Sequence, residues 1–198
     1  MKKKLLALIL TAAVILGTGA SRRSQDETKL MSTFISNFTE LGMYYIDIDE
    51  ITNEDLIAFG IGHNVINNAK STVKRCGLKN CEYGPSLMSG AAVKASVKKY
   101  FDVDVNNESL DTDRLSAEFD GMNYHFNAAE WRPNTVYYAD VKSVTRGKYF
   151  VQMDGELYNV KRKSDRPALF TAKAKPYKYN GKDTWSIITL RVEWTDEN

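Results

Sequence analysis

The chain has 198 residues, with Lys+Arg 27 against Asp+Glu 25 and a formal charge of +2. A hydrophobic content of 43% with 26% charged residues excludes wholesale disorder, and the length holds one domain or at most two small ones. The mild positive balance is no general footprint for nucleic acid, because it resides in the first few residues.

Lys2, Lys3 and Lys4 precede an uncharged apolar run from Leu5 to Leu16, and the small residues Thr18 and Ala20 stand just before Ser21. This is the pattern of a secretory signal peptide over residues 1–20. The run is far short of the roughly 20 residues that span a bilayer. A lipoprotein would carry its acylated cysteine where Ala20 stands, so a lipid anchor is not expected. Without residues 1–20 the chain has 24 bases against 25 acids. The expected mature protein is secreted or held in the cell envelope, and no later stretch is apolar enough to span a membrane.

Residues 21–29 are polar and read as a flexible tether, leaving 30–198 as a single α+β domain. Leu30, Phe34 and Phe38, with Ile35 beside them, predict a first helix. Thr52, Glu54 and Asp55 predict the start of a second, with Ile51 and Leu56 as its hydrophobic staple and Gly77 as its stop. Its inner stripe is Leu56, Phe59, His63 and Ile66. Ser89 is suited to cap a third helix, whose inner face is Ala92, Val93, Ser96, Val97, Tyr100 and Phe101. Helices are thus expected within 30–101.

After Asp102 the period changes to two. Asp120-Gly121, Arg146-Gly147, Asp154-Gly155 and Asn180-Gly181 punctuate β-rich runs, and such dipeptides supply the positive φ of tight hairpins. Antiparallel strands are expected over 103–195. The predicted architecture is three helices packed on one face of a curved antiparallel β-meander, an element order shared with cystatin-like and NTF2-like folds.

The chemistry-bearing motifs are few. The chain has no G-x-S-x-G, H-E-x-x-H or P-loop sequence. Ser71-x-x-Lys74 and Ser96-x-x-Lys99 lack the companion motifs of serine–lysine enzymes. No catalytic residue is assigned. Cys76 and Cys81 are close in sequence and expected to form a disulfide in an exported chain, with free thiols as the main alternative; a metal pair would need two more ligands nearby, and no histidine lies in 64–124, while a pairing of either with His63 or His125 as nucleophile and base is less favoured still. Asp102, Asp104, Asn106 and Asp113 hold the first, third, fifth and twelfth places of a calcium-type loop, although Asn107 replaces the usual glycine. Apart from that calcium candidate, no cofactor is implied. His63 and Asn67 lie one helical turn apart and, with Trp131, Tyr138 and Trp185, are the candidate lining of a pocket between helices and sheet. His125 shares a strand face with Asn123 and Asn127 and is expected to meet solvent.

Charge is segregated: residues 26–68 carry eight acids and one base, residues 142–191 twelve bases and four acids. Lys173, Lys175, Lys178, Lys182 and Arg191 would give a basic sheet face suited to an anionic cell-wall polymer or an acidic envelope protein.

The stretches FISNFTELG and DLIAFGIGHNVINN within 34–68, VKKYFDVDV (97–105) and KPYKYNGKDTWSIITLRV (175–192) together resemble a group of exported bacterial proteins with no assigned activity, often bearing lipoprotein-type signals. The resemblance implies export and transfers no catalytic residue. The expected function is a non-catalytic envelope or secreted binding module. The alternative is a small secreted hydrolase or a protein inhibitor of an envelope enzyme.

Overall fold

A computed structural model describes residues 25–77, 81, 84–112 and 115–195. The expected signal peptide and Asp113 lie outside these residues. The chain is α+β, with its helices in the N-terminal half and two five-stranded antiparallel sheets in place of the single meander expected.

Residues 25–39 form helix α1, so the stretch read as a tether is helical from Gln25. Its buried stripe is Met31, Phe34, Ile35 and Phe38, while Leu30 is 60% exposed. Phe34, Ile35 and Phe38 are buried as expected, Met31 takes the place expected of Leu30, and the neighbouring polar side of the helix has partners of its own. Ser32, Ser36 and Thr39 are turned toward strand β7 (Tyr137–Arg146). The Val141 N–H donates to Ser32 Oγ and the Ala139 N–H to Ser36 Oγ, both at 2.9 Å, and Thr39 Oγ1 donates to the Tyr137 carbonyl at 2.8 Å. The same serines donate back to carbonyls four residues earlier in α1, Ser36 to Ser32 and Ser32 to Thr28.

Strand β1 (Tyr45–Asp47) follows, then α2 (Asn53–Asn67). The capping box is present: the Asp55 N–H donates to Thr52 Oγ1 and the Thr52 N–H to Asp55 Oδ2, each at 3.1 Å. Helix α2 ends ten residues before the expected stop at Gly77. Asn68, at φ −128° and ψ 13°, breaks it, and only the single turn α3 (Ala69–Thr72) remains before strand β2 (Lys74–Arg75). Strand β3 (Ser86–Ser89) then runs into α4 (Gly90–Phe101), capped by Ser89 Oγ as expected.

Strands β4 (Leu110–Asp111), β5 (Ser116–Phe119) and β6 (Asn123–Phe126) precede β7, β8 (Val151–Asn159), β9 (Ala168–Tyr179) and β10 (Lys182–Trp194). One sheet has the order β1-β10-β9-β8-β7, the other β2-β3-β6-β5-β4. The split arises because β1, β2 and β3 come from the expected helical half. Short strands there capture opposite ends of the predicted meander, β1 pairing with β10 and β3 with β6. Helix α4 touches both β10 and β3. The two sheets thus share one apolar core that includes Phe38, Phe59, Phe101, Tyr124, Phe126 and Leu190.

Asn180 and Gly181 have φ of 49° and 76°, as a tight hairpin between β9 and β10 requires. Asp154-Gly155 is different: it lies inside β8 and is not a turn. A Cβ at position 155 would collide with the Asp140 carbonyl and lie 2.8 Å from the Phe170 ring. This glycine serves close packing opposite the bulge between Val141 and Ser143.

Helices α2 and α4 cross at Gly60, where an added Cβ would lie 2.6 Å from Val93 Cγ1 and 3.1 Å from the Val93 carbonyl oxygen. Helix propensity alone favours Gly60→Ala by about 1 kcal/mol. The stiff valine and its backbone reverse the sign, and a net loss of about 1–2 kcal/mol is expected in urea unfolding. Ser32→Ala and Ser36→Ala each strip the acceptor from a β7 N–H. Each is expected to cost roughly 1–3 kcal/mol by the same measurement.

Candidate functional site

The five residues expected to line one pocket fall into four places. Asn67 and Tyr138 come together on a cavity of about 290 Å³ between α1 and the β7–β8 edge, with Lys29, Ser36, Glu40 and Tyr158 among its other walls. Trp185 packs on Phe34 at 6.0 Å and lines a separate cavity beside Leu30 and Arg146. Trp131 is buried against Phe126 in the second sheet, at 6.0 Å.

His63 is sealed in the helical layer. Its ring is only 3% exposed, stacks on Phe59, and lies 3.2 Å from both Ser96 Oγ and Tyr100 Oη. Asn64 donates to the same Ser96 Oγ at 2.8 Å. Burial, reinforced by the Lys99 ammonium, pulls the imidazole down to about 4. His63 is a neutral structural histidine and has no cleft to act in.

Glu40 was not singled out by the sequence, yet it is the unusual group in the cavity. It is 4% exposed, and Asn67 Nδ2 donates to its Oε1. Burial raises its carboxyl above the ordinary value, with the Asn67 bond opposing. Its charge in turn contributes to raising the Tyr138 and Tyr100 hydroxyls, after burial itself. The only available signal was an acid following the apolar stripe of α1, in FISNFTEL. The cavity continues into one of about 390 Å³ that shares Lys29, Ser32, Ala139 and Tyr158 and adds Lys163 and Arg166. Asp140 also lines this second cavity and pairs with Arg166 at 2.9 Å, and Lys29 lies on the wall that the two cavities share.

A second cluster forms on the outer face of the β2-β3-β6 sheet. His125 is not the solvent-facing residue expected, its side chain being 12% exposed. Its Nδ1 lies 3.2 Å from Cys81 Sγ and 3.7 Å from Cys76 Sγ, and its Nε2 lies 2.9 Å from Asp120 Oδ2. Asp120 is held by the hairpin it starts: Oδ1 accepts from the Asn123 and Met122 N–H groups at 2.7 and 2.8 Å. Those bonds and His125 keep its carboxyl well below the usual range, and Asp120 in turn raises the imidazole. Among the described residues, Cys76, Cys81 and His125 each offer one ligand atom, all within 4.8 Å of one another, a set that could hold a metal ion.

The acids of the calcium-type loop face amines. Asp102 caps α4 in the left-handed region and pairs with Lys175 at 3.0 Å and Lys98 at 3.4 Å. Asp104 is 97% exposed and 3.6 Å from Lys98. The Asn106 N–H donates to Asn53 Oδ1.

The outer face of the larger sheet is mixed in charge. Arg166 pairs with Glu156 at 2.7 Å and Asp140 at 2.9 Å, and Lys142 with Asp140 at 2.7 Å. Lys178 lies 3.7 Å from Asp183, Lys173 over the Phe150 ring and Arg191 over the Tyr45 ring. No described helix is long and apolar enough to cross a membrane.

No family model, curated protein or solved structure matches the chain.

His63 gives a pH prediction. Its folded pKa is depressed, so its contribution is full above the ordinary value of 6.5 and is lost as pH falls toward about 4. Fully realised, the shift corresponds to roughly 3 kcal/mol. Wild-type stability is expected to fall across this window in urea titrations. His63→Gln is expected to flatten that limb while lowering stability at pH 7.

Proposed function

We propose that this is an exported bacterial protein acting as a non-catalytic binding module in the envelope or outside the cell. Its ligand site is the groove between α1 and the β7–β8 edge. The observation that carries this reading is Glu40: a buried carboxylate that opens onto a cavity with the phenol rings of Tyr138 and Tyr158. Ring faces and a desolvated carboxylate both favour a cationic group. Lys163 at the other end, with Lys29 on the shared wall, favours an anionic one. A small zwitterion, such as an amino acid, fits both ends.

Export is supported by the sequence of residues 1–20 and by the resemblance to exported bacterial proteins. The part of the fold that keeps a cystatin-like or NTF2-like order is the larger sheet with α1 and α4 against it. An acidic envelope protein or an anionic cell-wall polymer is a weaker partner, because Lys175 and Lys178 already face Asp102 and Asp183. The second reading, a small hydrolase, has one observation behind it: Cys81, His125 and Asp120 stand in the order of nucleophile, base and orienter.

The test is thermal unfolding with free amino acids and with primary and quaternary amines at millimolar concentration. At least one zwitterionic amine is expected to raise Tm, and Glu40→Gln and Tyr138→Ala to weaken the effect by tenfold or more. No shift with any amine in the wild type would overturn the groove reading.

Without ligand, Glu40→Gln should also stabilise the protein. A raised carboxyl contributes stability fully below its ordinary value of 4.5, and that contribution is lost as pH rises through the raised one. Tm of the variant is expected to exceed wild type at pH 7 and to match it at pH 4.

A further inference from the structure

We infer that Cys76, Cys81 and His125 bind a zinc-class ion, with Asp120 as the outer partner of the histidine. The inference stands on the second sheet and is independent of the groove.

The geometry fits a tetrahedral ion. With Zn–S near 2.3 Å and Zn–N near 2.05 Å, a tetrahedral angle sets sulfur and nitrogen about 3.6 Å apart. The two Sγ atoms lie 3.2 and 3.7 Å from Nδ1, on either side of that figure. Both sulfurs address the same ring nitrogen. A nucleophile–base pair uses one sulfur, whereas a metal site uses both.

The histidine is oriented for ligation. Asp120 Oδ2, at 2.9 Å from Nε2, holds the proton on that nitrogen and leaves the Nδ1 lone pair toward the sulfurs. A carboxylate behind a ligating imidazole is the usual outer arrangement of zinc histidines. Asp120 is itself fixed by two backbone N–H groups of the β5–β6 turn. Two of the three ligands come from ordered backbone. His125 is central in β6, between β3 and β5. Cys76 extends the β2–β3 ladder, its N–H donating to the Pro85 carbonyl at 2.8 Å. Cys81 closes the site from the connection between β2 and β3.

The donor set selects the metal class. Two thiolates and an imidazole prefer zinc and other thiophilic ions, and disfavour magnesium and calcium, which take oxygen. Three protein ligands leave a fourth position for water or an exogenous ligand.

The experiment uses the full chain, reduced and stripped of metal, titrated with Co²⁺ as a spectroscopic probe and then with Zn²⁺. One equivalent of Co²⁺ is expected to give a thiolate-to-cobalt charge-transfer band with tetrahedral visible bands, displaced by Zn²⁺. Cys81→Ser and His125→Gln should each remove or strongly weaken the signal. Asp120→Asn should lower affinity by about 10- to 100-fold while keeping the band. Cys81 is only half-buried, so its variant should keep the wild-type urea midpoint in chelator, which separates lost ligation from lost fold. Absence of the charge-transfer band would overturn the inference. So would a band unchanged in both Cys81→Ser and His125→Gln. A Cys76–Cys81 disulfide without zinc in protein recovered from outside the cytoplasm would also overturn it.

Discussion

Strand β7 has β8 on one side and no strand on the other. Its outer N–H and carbonyl groups face a helix, which normally has no backbone hydrogen bonds to offer a sheet edge. Helix α1 meets this constraint with hydroxyls. Ser32, Ser36 and Thr39 lie on one line of the helix and serve Val141, Ala139 and Tyr137, every second residue of the strand. Each serine is used twice, accepting from the strand and donating to its own helix, so its rotamer is fixed from both sides. The contact sets the rotation and height of α1 together. With Ser32 and Ser36 on the strand, Met31, Ile35 and Phe38 must point into the core and Leu30 must point away. Glu40, just past the last helical residue, is then carried to the β7–β8 edge.

That constraint also marks where sequence reasoning stops. Local signals were readable because both partners are close in the chain. Thr52 and Asp55 read as a cap, Ser89 read as a cap, and Asn180-Gly181 read as a hairpin. Signals whose other half is distant were not. Ser32 and Ser36 look like solvent-facing residues until Val141 and Ala139, more than 100 residues on, are placed against them. Asp154-Gly155 has the composition of a turn, and only the Phe170 ring and the Asp140 carbonyl show that the glycine makes room instead. The short β1, β2 and β3 are too brief for a periodic pattern, yet they divide the strands between two sheets.

The sites follow the same division. Asn67 and Tyr138 line the same cavity, which lies against α1 and not between α2 and the sheet. His63 itself was drawn inward by Ser96 and Tyr100, partners supplied by α4. His125 was read from strand alternation as outward, and it is on the outer face. What alternation does not contain is the connection that lays Cys81 over that face, or the turn that presents Asp120.

Two buried titratable groups in the helical half are held in different ways. His63 is neutral, and its ring nitrogens lie against Ser96 and Tyr100, so its burial is compensated and its polarity is spent inside the fold. Glu40 is stabilised by one amide, and its carboxyl opens onto a cavity. A carboxylate in that position carries a desolvation cost that a glutamine of the same size would avoid. Packing therefore gives no reason for the acid. Under the proposed reading a cationic ligand supplies one, because it would meet a carboxylate already stripped of water. The hydroxyl ladder of α1 ties Thr39, the residue before Glu40, to the Tyr137 carbonyl at the edge of β7, and so sets where the acid stands.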